Sequence, residues 1–77
     1  MKVKTIMDLY SNWNSSTAVS DKDSEYRVTV NTADLADNKD NLYTSLLEAS
    51  VMAVGFTNSE LNVRVDLDAK ELSNAIT

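Results

Sequence analysis

Apolar and polar residues alternate most regularly from Leu61 to Leu67, where Leu61, Val63, Val65 and Leu67 are separated by Asn62, Arg64 and Asp66. That period of two predicts a strand with one buried face. Tyr26, Val28 and Val30 alternate with Arg27 and Thr29 in the same way, and a shorter strand is expected over Thr17–Ser20. Asp21-Lys22-Asp23-Ser24 between them is a turn signal, so the pair forms a β-hairpin. Helical spacing governs the rest. Ile6, Leu9, Tyr10 and Trp13 share one face of a helix over 6–13, with Thr5 as its N-cap, and Asn31 or Thr32 caps a helical turn through Ala33–Ala36. A longer helix is expected over Asp40–Val54, where Leu42, Leu46, Leu47, Ala49, Ala53 and Val54 fall on a wide apolar arc. Gly55 fits the position just beyond its end, with Phe56 packing back on the last turn. Asp68 and Glu71 have capping-box spacing and start a short helix in which Ala69, Leu72 and Ile76 share a face.

The resulting element order is αββαβα. A crossover through the long helix, with the third strand placed beside the first, gives an α+β fold with a three-stranded antiparallel sheet in order 2-1-3. Half-apolar strands imply helices packed on one face, leaving Arg27, Thr29, Asn62, Arg64 and Asp66 on the other. The 77 residues form a single domain, 1–77, and neither a linker nor a tail is signalled by a chain with no proline and one glycine. A core of this size supplies only ~3 to 5 kcal/mol, which makes association with a partner or a second copy a natural remedy.

The side-chain inventory narrows the chemistry. There is no cysteine and no histidine, so thiolate metal sites, disulfides and the commonest general base are excluded. One glycine cannot build a phosphate-binding loop, and no G-x-S-x-G or S-x-x-K pattern occurs. An enzyme is not expected, nor is a cofactor. Asp21, Asp23 and Glu25 copy the first ligand positions of a calcium loop, but Tyr26 and Thr32 stand where such a loop needs glycine and glutamate. Asp66 and Asp68 flank Leu67, but Asp68 already serves as a cap. The chain carries 12 acidic against 7 basic residues, a net charge of −5, which disfavours direct nucleic-acid binding. With no long apolar run, no membrane span or leader is expected, and the protein is expected in the cytoplasm of its host cell.

Recognition features remain. Asp34, Asp37 and Asp40 recur every third residue, giving an acidic ridge suited to the Lys and Arg of a nucleic-acid-binding protein, or simply a solvated face. Asp21, Asp23 and Glu25 form a second acidic group. Trp13 is the best aromatic anchor, although so small a chain is expected to keep its single tryptophan in the core. Val51 and Met52 extend the apolar surface of the long helix beyond its core arc, which suggests a helix-mediated homodimer or a partner's groove, or simply an exposed methionine. The opening Thr5-Ile6-Met7-Asp8-Leu9-Tyr10-Ser11-Asn12-Trp13, followed by Thr17-Ala18-Val19 and an acidic turn, resembles small orphan proteins of phages and mobile elements of Gram-positive bacteria. Among these, anti-CRISPR inhibitors are short, acidic and enzymatically inert. The resemblance implies an inhibitor that covers a basic nucleic-acid-binding surface of a nuclease defence complex. The alternative is a homodimerising accessory protein with no inhibitory role.

Overall fold

The computed structural model of the chain describes residues 1–76, the side chain of Lys39 excepted. Among these residues the order is α1 (Val3–Leu9), β1 (Ser16–Ser20), β2 (Arg27–Asn31), α2 (Thr32–Asp37), a 3-10 turn (Lys39–Asn41), α3 (Thr44–Glu48), β3 (Val51–Thr57), β4 (Glu60–Val65) and α4 (Ala69–Ala75). The fold is α+β, with four α-helices and a four-stranded mixed sheet among the described residues.

Local chemistry explains the elements that match expectation. Asn31 caps α2, its Oδ1 accepting from the Ala33 N–H at 2.9 Å. Asp68 and Glu71 close a complete capping box on α4, Asp68 Oδ1 accepting from the Glu71 N–H at 2.8 Å and Glu71 Oε1 from the Asp68 N–H at 3.0 Å. Asp68→Ala is expected to lower stability by about 1 kcal/mol in urea titration. The first helix begins earlier than expected, at Val3 instead of Ile6, with Lys2 at its N-cap position and no side-chain cap.

The helix expected over 40–54 does not form. Asp40 and Asn41 take left-handed conformations, with φ of 62° and 55°, which a right-handed helix cannot absorb. Only α3 keeps helical geometry, and the chain from Val51 onward is strand. Val51, Val54 and Phe56 are β-branched or aromatic, while Gly55 disfavours a helix by about 1 kcal/mol. Asn58 and Ser59, with φ of 52° and 67°, form a two-residue type I′ turn that folds β3 back on β4. Val51 and Met52 therefore lie on a strand, and the helix-mediated dimer loses its structural basis.

The extra strand also corrects the sheet. The order is β2-β1-β4-β3. The three expected strands are neighbours in the anticipated 2-1-3 arrangement, but β4 runs parallel to β1, with Val19 beside Val63, so the sheet is mixed and not antiparallel. The cause is the β3–β4 hairpin, which reverses the chain once more before β4 enters. Val19, Val30, Leu61, Val63 and Val65 form the sheet's contribution to the core, covered by Val3, Ile6 and Met7 of α1, Leu35 of α2, Leu46 of α3 and Leu72 of α4. The other face carries Arg27, Thr29 and Arg64 exposed. Arg27 Nη2 donates there to Glu60 Oε1 at 2.8 Å and Asn62 Oδ1 at 3.3 Å. Among the described residues no helix is long and apolar enough to cross a membrane.

Candidate functional site, an acidic and aromatic cleft

Two polar segments beside the core are held in irregular shapes by side-chain hydrogen bonds, and between them lies the candidate site. The first follows α1. Trp13 Nε1–H donates to the Tyr10 carbonyl at 2.9 Å, which turns the indole outward, and the residue is 46% exposed. The single tryptophan is therefore not a core residue. A chain of hydroxyls ties this segment to α2: Tyr10 and Ser15 meet at 3.3 Å, Ser15 and Thr32 at 3.3 Å, and the buried Thr17 and Thr32 at 2.7 Å.

The second segment follows α2. Asn38 ends the helix in a left-handed conformation (φ 47°), and its Oδ1 accepts from the Tyr43 N–H at 2.6 Å while its Nδ2 donates to Thr44 Oγ1 at 3.3 Å. Thr44 Oγ1 donates in turn to the Asn41 carbonyl at 3.1 Å. Asn38 thus folds residues 39–43 into a loop that faces α2.

The result is an open cleft of about 360 Å³ lined by Trp13, Ala33, Asp34, Asp37, Asp40, Leu42 and Tyr43. Of the candidate residues, Trp13 and the three aspartates are brought together here. Their ridge is not a straight helical stripe, since Asp40 lies beyond the end of α2 and reaches the cleft through the loop. Among the described side chains lining it none is basic, so three carboxylates and two aromatic rings share one wall. Such a site suits a cationic side chain, whose charge is attracted by carboxylates and ring faces together. Among the described residues no group of three acidic side chains is arranged to hold a metal ion.

The second acidic group stands apart. Asp23 and Glu25 are exposed at the β1–β2 turn, but Asp21 is fully buried, its Oδ1 accepting from the Tyr26 N–H at 2.7 Å and its Oδ2 from the Asp23 N–H at 3.3 Å. Asp21 is thus a turn-closing residue, unavailable to a partner. The hydrogen bond from Tyr26 outweighs burial and holds its carboxyl below the usual aspartate range. The unfolded chain consequently takes up this proton first on acidification. The stabilisation is complete above about pH 4 and is lost as pH falls through the lower folded value. Asp21→Ala is expected to lower the Tm at neutral pH and to flatten the acid limb of a Tm-against-pH curve.

Tyr43 and Leu42 were not foreseen as site residues, because Leu42 falls on the apolar arc of the expected long helix. The usable signal is the cluster Asn38, Asp40 and Asn41, residue types that tolerate left-handed backbone and so mark a loop. Comparison of the chain with protein-family models, with curated proteins and with solved structures gave no match.

Proposed function

We propose that this protein is a non-enzymatic binding module whose cleft receives Lys or Arg side chains from a basic surface of a protein partner. The observation that carries the reading is the convergence of Trp13 and Tyr43 with Asp34, Asp37 and Asp40 around one cavity. Aromatic walls give a desolvated contact for the aliphatic stem and planar head of arginine, and the carboxylates supply long-range attraction that speeds encounter. A surface evolved to hold phosphates presents the required cations in a dense array. The most concrete form of the proposal is therefore an anti-CRISPR-like inhibitor that occupies the basic nucleic-acid-binding surface of a nuclease complex, with carboxylates taking the place of phosphates. The net charge of −5 supports this direction of attraction.

Nuclear magnetic resonance titration with an arginine-rich peptide tests the reading. Chemical-shift changes are expected to gather on Trp13, on 33–40 and on Leu42 and Tyr43. Changes confined to Asp23 and Glu25, or spread evenly over all acidic residues, would show general charge attraction and no cleft.

A further inference from the structure

β3 lies at an edge of the sheet and is paired only on its β4 side. A two-residue type I′ turn makes Thr57 and Glu60 a hydrogen-bonded closing pair. Antiparallel alternation then points the backbone N–H and C=O of Phe56 and Val54 away from β4, toward solvent. Edge strands are ordinarily protected by shortness, by charge, by proline, by a β-bulge or by a covering element, and of these β3 has only a bulge, at its start. The opposite edge follows that rule, since β2 has five residues and carries Arg27, Thr29 and Asn31. β3 has seven residues, with neither charge nor proline from Val51 to Ser59. Its irregularity is a register shift between Val51 and Ala53, and the Met1 carbonyl covers only the Val51 N–H.

The side chains add to the exposed backbone. Val54 and Phe56 pair with Val63 and Leu61, so they point to the helix-covered face, yet they stay exposed there. Val54 is 47% and Phe56 64% exposed, with Met52 at 50%. The ring of Tyr10 flanks Phe56 at a centroid distance of 5.8 Å.

We infer that β3 pairs antiparallel with β3 of a second copy of this chain, joining the two sheets into one. The segment Met52-Ala53-Val54-Gly55-Phe56 is self-complementary about Val54. A two-fold axis there sets Val54 opposite Val54, each Met52 opposite a Phe56, and each Ala53 opposite a Gly55. Large residues then meet large ones on one face, with thioether against ring, and small meet small on the other. Charge favours the same arrangement, because β3 carries no acid and so adds no local repulsion between two molecules of net charge −5. Met52 to Thr57 extends about 20 Å, a contact on the small side for specific association, so the dimer is expected in concentration-dependent equilibrium with the monomer. No residue lining the acidic cleft belongs to β3, so the inference is independent of the function proposed above.

Because the chain has no cysteine, a single introduced one is a unique probe. Val54→Cys is expected to form a disulfide-linked dimer on mild oxidation, since directly opposed residues have Cα atoms about 5.5 Å apart, within disulfide reach. Phe56→Cys should not, because its counterpart is displaced by about 13 Å along the strand. Sedimentation equilibrium of the unaltered chain should show monomer and dimer, and Val54→Lys should give monomer with an unchanged circular-dichroism spectrum. A chain that stays monomeric at millimolar concentration overturns the inference. So does a Val54→Lys variant that still dimerises, association that continues beyond the dimer, or crosslinking of Phe56→Cys as readily as Val54→Cys. Should Val54→Lys fail to fold, the cysteine pair decides.

Discussion

Leu46→Ala is expected to leave most chains unfolded at room temperature. Leu46 is fully buried in α3, which packs against both α1 and α4, so its isobutyl group fills the space where three short helices meet above the sheet. None of these helices exceeds seven residues, and helices so short depend on tertiary packing for their existence. Truncating a buried leucine costs about 2 to 5 kcal/mol, against a total stability of about 3 to 5 kcal/mol for a core of this size. Leu42→Ala is the informative control. Leu42 is 56% exposed at the cleft rim, so its removal should shift a urea transition by less than ~0.5 kcal/mol. A single continuous helix over 40–54 would instead bury both leucines on one face and make the two substitutions comparably damaging.

The second large effect concerns binding. Changing Asp34, Asp37 and Asp40 together to asparagine keeps their shape and removes three negative charges from one cleft. An exposed ion pair is worth roughly 0.2 to 1 kcal/mol, so three of them amount to about 0.6 to 3 kcal/mol, or a loss of affinity for an arginine-rich peptide between roughly threefold and 150-fold. The loss should be largest at low salt and should shrink as screening increases. Asp34 itself contributes only about 0.3 to 1 kcal/mol to stability through its position in the first turn of α2, and a circular-dichroism melt of the triple variant separates any loss of fold from loss of binding. The matching change of Asp23 and Glu25 to their amides should leave affinity within about twofold, because those residues sit at the β1–β2 turn, outside the cleft. Isothermal titration calorimetry separates the two sets.

Much of the architecture is visible in the sequence wherever a single periodicity applies. The alternation through Leu61, Val63 and Val65, the hairpin around Asp21 and the cap at Asp68 each admit one local solution, and each forms; the sequence leaves the α2 cap open between Asn31 and Thr32, and Asn31 takes it. Residues 42–56 are different. Nearly every position there is apolar or small, so a helical arc and a two-residue alternation fit the same letters. What decides between them is not local: β3 gains a ladder with β4, and the Asn58-Ser59 turn makes that ladder easy to reach. The parallel pairing of β1 and β4 was hidden for the same reason, since missing one strand inverts the direction of the next. The site was legible in part. The spacing of Asp34, Asp37 and Asp40 marked the acidic surface, but the cleft depends on Asn38 folding Tyr43 and Leu42 back toward α2, and on Trp13 being turned out by the Tyr10 carbonyl. Those are bonds between a side chain and a nearby backbone group, three and five residues apart, and the spacing of apolar and acidic residues does not encode them.

Trp13 offers the most direct test, because the only tryptophan of the chain stands in the wall of the proposed site. Its fluorescence can be followed while an arginine-rich peptide is added at low salt, where the Debye length is about 30 Å, and again at about 1 M salt, where it is about 3 Å. The proposed function requires a saturable change in emission at low salt that weakens steeply at high salt and disappears when Asp34, Asp37 and Asp40 are all asparagine. A Trp13 signal that does not respond to the peptide, or a response that survives both high salt and removal of the three carboxylates, would contradict it.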